Sequence, residues 1–141
     1  FPKRVDEKVH QEFLKAGDQQ GRVIGVNSDS DSLAKKALQI MCAAYGAEVG
    51  NAALKFIPLG GMFVTGGLTP KNIRSIQGKD SPFMKAYLDK GDKTELIKSI
   101  PLFAVMNEDV GLRGARICAE REYSAKTTKK EVLIASWRDV P

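Results

Sequence analysis

The stretch from Leu33 to Phe56 constrains this chain most. Leu33, Ala37, Ile40, Met41, Ala44 and Ala47 recur at three- and four-residue intervals, and Val49 to Phe56 continues the apolar pattern. The spacing predicts an α-helix of about 25 residues, stopped by Pro58 and Gly60-Gly61. At 1.5 Å per residue it is about 37 Å long, more than a small domain needs and suited to spanning a large sheet. Gly46 and Gly50 lie inside it, four apart among small residues. An interior glycine costs roughly 1 kcal/mol relative to alanine. A pair on one stripe therefore implies that another backbone packs close against it.

Around this helix the chain alternates. Val5, Val9 and Phe13 mark a short amphipathic helix over Val5–Ala16, closed by Gly17. Arg22-Val23-Ile24-Gly25-Val26 reads as a weak strand or an extended connector, and Asn27 to Asp31 offers side-chain oxygens to cap the long helix. Gly61-Met62-Phe63-Val64-Thr65 is a continuous apolar run, expected as a strand buried on both faces. Gly66-Gly67 breaks it, and Thr69-Pro70 begins a helix. Ser81 caps a short helix over Pro82–Leu88, Thr94–Ser99 gives one more turn, and Pro101–Met106 is a second buried strand. Asp109 caps a last helix from Val110 to about Tyr123. A polar stretch, Ser124–Glu131, precedes the apolar run Val132–Trp137, whose state the pattern does not decide. The order is α/β. Two strands make only a marginal sheet, so sequence outside this chain is expected to complete it. The expected division is one domain part over 1–123 and a tail over 124–141.

Composition narrows the function classes. With 43% hydrophobic residues in 141, the chain can build one core and not two. Its net charge of +5 comes from Lys and Arg interleaved with Asp and Glu, which argues against a nucleic-acid face. No window approaches the roughly 18 uncharged apolar residues of a membrane span. Cys42 and Cys118 fall on predicted apolar helix faces, expected as buried free thiols in a reducing compartment rather than a disulfide or metal site. His10 is the single histidine, which argues against a hydrolase triad. Glu7 and His10 are ordinary i, i+3 neighbours on a surface helix. Ser28-Asp29-Ser30-Asp31 lacks the glycine and distant glutamate of a calcium loop, so capping is its expected role. Lys126, Lys129 and Lys130 read as a solvated tail, and Trp137 as a packing residue. Phe1-Pro2-Lys3-Arg4 has neither an initiator methionine nor a signal-peptide core and reads as the inside of a longer chain. No catalytic or metal-binding residue is assigned within these residues.

The sharpest chemical feature is the glycine turn after the first strand. A strand ending in Gly66-Gly67 and feeding a helix at Thr69 exposes backbone that no Cβ obstructs, so a flat ligand can lie against it. The helix start then offers unpaired N–H groups to an anion.

Residues around that turn carry a resemblance. Gly46-Ala47-Glu48-Val49-Gly50-Asn51-Ala52-Ala53-Leu54, followed by Gly60-Gly61-Met62-Phe63-Val64-Thr65-Gly66-Gly67, resembles a run found in bacterial-type glucokinases. Ser81-Pro82-Phe83 with Tyr87-Leu88-Asp89-Lys90-Gly91, Ile100-Pro101-Leu102, and Asn107 through Gly114 resemble later motifs of that family in the same order. The likeness is strongest over residues 33–120.

The resemblance implies the C-terminal portion of a ribonuclease-H-like domain of the hexokinase–actin–Hsp70 ATPase group. It implies ATP-dependent phosphorylation of glucose to glucose 6-phosphate, a step of glycolysis. Thr65, Gly66, Gly67 and Leu68 would be the nucleotide-binding adenosine motif. Gly111 and Gly114 would lie on the hinge helix between two domains, where closure needs close crossing. The family's catalytic aspartate, sugar-holding residues, phosphate turns and Mg2+ ligands precede this segment; no Asn-Asp pair and no Gly-Thr-Gly turn occurs here. The 141 residues alone are therefore expected to be inactive. Expected partners are glucose, ATP, the remainder of the chain and a second copy through the C-terminal domain, with no nucleic acid and no membrane. The cytoplasm is the expected compartment. Arg138-Asp139-Val140-Pro141 is not a peroxisome-type address, and a boundary that removed one would leave a peroxisome-related organelle as an alternative. Two further readings stand beside this one: another sugar kinase of the superfamily, and a non-catalytic α/β interaction module.

Overall fold

The computed structural model describes residues 6–128. The chain divides into two units between Met106 and Asn107.

In the first unit, α1 (Glu7–Lys15) is capped by Asp6, whose carboxylate accepts the Lys8 and Val9 amides at 2.9 and 3.4 Å. A single 3-10 turn, Gly17–Gln19, leads into α2 (Gln20–Asn27). This helix corrects the strand or connector expected at Arg22–Val26. An extended segment with no neighbouring strand would leave its backbone polar groups unpaired, whereas a helix pairs them internally. The Asn27 side-chain amide and the Ser28 hydroxyl add bonds to the Val23 and Gly25 carbonyls at 2.9 and 3.0 Å. Only Val23 of this helix is buried.

The long helix α3 (Ser32–Phe56) has the expected span. Asp31 caps it, accepting the Ala34 amide at 2.6 Å through one carboxylate oxygen and the Asp6 amide at 3.1 Å through the other. These bonds, the first foremost, hold its pKa below the usual 3.8 against the opposing effect of burial. Ile57 ends the helix in the left-handed region, φ 44° and ψ 59°. Pro58 disfavours helical geometry at the residue before it, so α3 cannot run on.

The two glycines of α3 meet α6 (Pro82–Leu88). A Cβ on Gly46 would collide with the Phe83 carbonyl, and one on Gly50 would lie 2.6 Å from the Tyr87 carbonyl. Both pairs are spaced by four, so one helical ridge seats on another. Lys90 secures the crossing by donating to the Ala47 carbonyl at 3.1 Å. Cys42, Ala53, Val64, Ile76, Phe83, Tyr87, Ile97 and Ile100 form the core below it. Phe83 meets the edge of Tyr45 at 5.4 Å between ring centroids and stacks on Tyr87 at 6.3 Å. Burial raises the pKa of the Cys42 thiol, which keeps it protonated.

Strands β1 (Met62–Val64) and β2 (Leu102–Ala104) pair in parallel, Phe63 opposite Phe103. The sheet corrects the expectation of strands buried on both faces. Val64 faces the core, but Phe63 and Phe103 stack on each other at 4.9 Å and stay 60% and 45% exposed. A parallel sheet normally has both faces covered, and among the described residues only one is. Between the strands lie α4 (Leu68–Lys71), α5 (Ile73–Ile76), α6 and α7 (Thr94–Ser99). The single helix expected from Thr69 is two turns broken at Asn72, where φ is −117° and ψ 20° and the side chain bonds back to the Leu68 carbonyl at 2.9 Å. Ser81 caps α6 as expected, accepting the Met84 amide at 3.0 Å.

The second unit contains α8 (Val110–Thr128), which passes the expected end near Tyr123. The Asp109 carbonyl accepts the Arg113 amide at 2.9 Å, and Arg116 pairs with Glu120 at 3.0 Å. Cys118 is exposed, contrary to expectation, because the apolar stripe of α8 carries Leu112 and Ile117 in the open as well. Val132–Trp137, Lys129 and Lys130 lie outside the described residues. No helix among the described residues is long and apolar enough to cross a membrane.

Candidate functional site

The strand–glycine–helix turn is built by buried residues at both ends. Val64 is 6% exposed at the end of β1, and Thr69 is 0% exposed in α4. Thr65, Gly66 and Leu68, which lie between them, are exposed, and Gly67 is half-buried. Gly66 has φ +93°, a backbone conformation that side chains rarely adopt, and its carbonyl accepts the Thr69 amide at 3.1 Å. A Cβ built on Gly66 meets nothing within 4 Å. The turn is therefore open to solvent, with bare backbone at its apex and the apolar Leu68 side chain, 45% exposed, beside it. Such a surface accepts a flat group that brings hydrogen-bonding edges to the backbone.

One expectation is weakened. Helix α4 is only four residues long, so its macrodipole is too small to attract an anion strongly. What fixes the turn is a set of side chains that the sequence reading did not single out. The Thr69 hydroxyl donates to the Thr65 carbonyl at 3.5 Å and lies 3.3 Å from the Tyr45 hydroxyl on α3. The available signal was Thr69 itself, a polar side chain directly after the apolar Leu68 and before the helix proline.

The remaining candidates are spread over the fold. Gly111 and Gly114 lie in the second unit, at the start of α8, and a Cβ on either meets nothing within 4 Å. Glu7 bonds Gln11 at 2.9 Å, one turn along α1, as expected of a surface helix. His10 and Asp31 line a largely apolar cavity of about 190 Å³ with Phe13 and Val23, but both oxygens of Asp31 are committed to backbone amides. Among the described residues no group of three or more His, Cys, Asp or Glu side chains could hold a metal ion.

The match to known proteins is consistent along the chain. The family model described as Glucokinase matches residues 6–122, starting well ahead of the 33–120 stretch that carried the resemblance. A glucokinase of Synechocystis sp. is 37% identical over 130 residues, covering 84% of this chain and 36% of that protein. One from Nostoc punctiforme is 43% identical over 91 residues, covering 64% and 26%. One from Shigella dysenteriae is 33% identical over 104 residues, covering 74% and 31%. The chain thus spans between a quarter and two fifths of the length of these curated relatives. No solved structure matches it.

Proposed function

Because this chain belongs to the glucokinase family, we propose that the protein it is part of phosphorylates glucose with ATP, and that Thr65–Leu68 is the backbone strip on which the adenosine rests. The observation that carries the assignment of the strip is the open apex at Gly66, flanked by the buried anchors Val64 and Thr69. A flat base can approach main-chain N–H and C=O groups there without displacing any side chain. Leu68 adds apolar contact, and covering the 45% of it that is still exposed contributes roughly 1 kcal/mol.

The rest of the reading follows from membership. The two-stranded parallel sheet is part of a ribonuclease-H-like domain whose other strands come from the remaining sequence. Gly111 and Gly114 belong to the helix at the interdomain hinge. The described residues do not fit a Mg2+ site, so the metal's ligands, the base and the sugar-holding groups fall to the rest of the protein. Phosphoryl transfer depends on positioning and charge stabilisation by groups that converge from several segments. This segment supplies nucleotide positioning and no proton transfer. The reaction takes place in the cytoplasm, and a second copy pairs through the C-terminal domain.

The test is amide hydrogen exchange on the full-length protein with and without ADP. Protection confined to Thr65–Leu68 and its immediate neighbours is the expected result. Exchange at these amides that ADP leaves unchanged would overturn the adenosine assignment. A coupled assay on the 141-residue chain is expected to show no glucose-dependent ADP formation, and turnover there would refute the division of labour.

A further inference from the structure

We infer that Tyr45 and Thr69 are positioning residues for the nucleotide: a directed hydrogen-bond relay from helix α3 sets the shape of the Thr65–Leu68 turn. The inference rests on the adenosine assignment above and goes beyond it by naming side chains that touch no ligand themselves.

The direction follows from the inventory of protons. A threonine hydroxyl has one proton and accepts through its lone pairs. The Thr69 hydroxyl donates to the Thr65 carbonyl. In the contact with Tyr45 it must therefore accept, and the Tyr45 hydroxyl is the donor. The relay runs from the Tyr45 O–H to Thr69 Oγ1, and from the Thr69 O–H to the Thr65 carbonyl.

Each member is held in place by packing. Thr69 is fully buried, so its hydroxyl has no solvent to turn to. The Tyr45 ring sets its edge against Phe83, which is itself fully buried beneath the Gly46 crossing. The carbonyl at the end of the relay belongs to the first residue of the strip, immediately before Gly66 with its φ of +93°. Glycine adopts many backbone conformations at little cost, so a Thr-Gly-Gly turn has no shape of its own. Fixing the carbonyl before the first glycine, together with the Thr69 amide to the Gly66 carbonyl at 3.1 Å, pins the turn from both sides.

A pinned turn binds more tightly because ordering is already complete before the ligand arrives. Removing the relay should weaken ATP and leave the sugar unaffected. Full-length Thr69→Val, Thr69→Ser and Tyr45→Phe are compared with the parent for kcat, KM for ATP and KM for glucose, with ADP-dependent amide exchange read on the parent. At 3.3 and 3.5 Å the relay contacts are longer than an ordinary O–H···O bond, so losing one corresponds to about a two- to fivefold change. Thr69→Val is expected to raise KM for ATP by that factor while KM for glucose is unaffected. Tyr45→Phe keeps the ring against Phe83 and is expected to raise KM for ATP by a smaller factor. Thr69→Ser, which keeps the hydroxyl, is expected to stay near the parent value. In both weakened variants the amides of Gly66–Leu68 should exchange faster without nucleotide.

The outcomes separate. If ADP does not protect the strip in the parent protein, the adenosine assignment falls and takes the relay with it. If the strip is protected but both Thr69→Val and Tyr45→Phe leave KM for ATP unchanged, the relay alone is refuted. If KM for ATP and for glucose rise together, the residues hold up the fold generally and the positioning role is also refuted. Should Thr69→Val fail to fold, Tyr45→Phe decides alone, since it removes one oxygen and keeps the ring against Phe83.

Discussion

Gly46 lies so close to the carbonyl of Phe83 that no Cβ fits between them. The atoms in the way are backbone, which cannot rotate aside. Gly46→Ala should therefore destabilise the protein by about 2 kcal/mol or more, the usual range for overpacking a tight core, despite alanine's better helix propensity. Gly50→Ala should also destabilise, by somewhat less, because the Lys90 side chain at 2.5 Å can move but the Tyr87 carbonyl at 2.6 Å is backbone and less severely placed than that of Phe83. Gly21 and Gly25 on α2 have nothing within 4 Å of a built Cβ. There the same substitution should stabilise by up to about 1 kcal/mol. Urea unfolding of the four variants checks the signs, and equal effects at Gly46 and Gly25 would contradict the crossing.

The two hydrogen bonds that the Asp31 carboxylate accepts from the Ala34 and Asp6 amides set an acid limit. Its pKa lies below the ordinary 3.8 because the Ala34 amide, and then the Asp6 amide, favours the charged form. A depressed folded-state value contributes stability that is present above the unfolded pKa and disappears as pH falls through the folded one. From this residue no loss is expected between pH 7 and about 5, and progressive loss below about 4. Asn at this position offers one acceptor oxygen where two are used. Asp31→Asn should therefore be less stable at neutral pH and show a shallower acid decline, and parallel profiles in pH-dependent melting would count against it.

Much of this was legible in the residues. The apolar spacing of Leu33–Phe56 and the paired glycines foretold both the long helix and the close crossing, because these depend on side-chain size within one segment. The Ser81 cap and the Gly66-Gly67 turn could be read because a hydroxyl that accepts a helix amide and a glycine at positive φ are equally local features. Arg22–Val26 could not: its β-branched residues favour a strand only where a partner strand exists, and here the segment is a helix that buries Val23 and leaves Val26 exposed. The exposure of Phe63 and Phe103 was equally hidden, since burial is decided by what covers a face and not by the strand's own letters. At the candidate site the bare backbone was visible, but the link from Tyr45 to Thr69 joins residues 24 apart, beyond any local pattern.

Ile57 closes α3 with φ 44° and ψ 59°, the one non-glycine residue among those described with positive φ. A β-branched side chain in this region is strained, by about 1–2 kcal/mol. Its amide still bonds the Ala53 carbonyl at 2.9 Å, and its side chain is 45% exposed, so the conformation is worth keeping and the side chain contributes little packing. Ile57→Gly should stabilise the protein by about 1 kcal/mol, after allowing for glycine's larger unfolded-state entropy. A higher midpoint in urea is expected. A lower one would mean that the isoleucine packs against sequence beyond the described residues.

Tyr87 presents the opposite case, a buried hydroxyl with no hydrogen-bond partner among the described residues. Leaving such a group unpaired costs roughly 1–3 kcal/mol, whereas an apolar replacement of the same shape removes the penalty. Tyr87→Phe keeps the stack on Phe83 and should be neutral or stabilising by about 1 kcal/mol at neutral pH. The variant has a second signature at high pH. Burial raises the Tyr87 pKa above the usual 10.0, so the folded state holds its proton where the unfolded state has lost it. That contribution is intact below the unfolded value and declines as pH rises above about 10. Phenylalanine cannot ionise, so the difference in stability between variant and parent should widen above that pH. A Tyr87→Phe protein that is clearly less stable at pH 7 would show that the hydroxyl has a partner in the full-length protein.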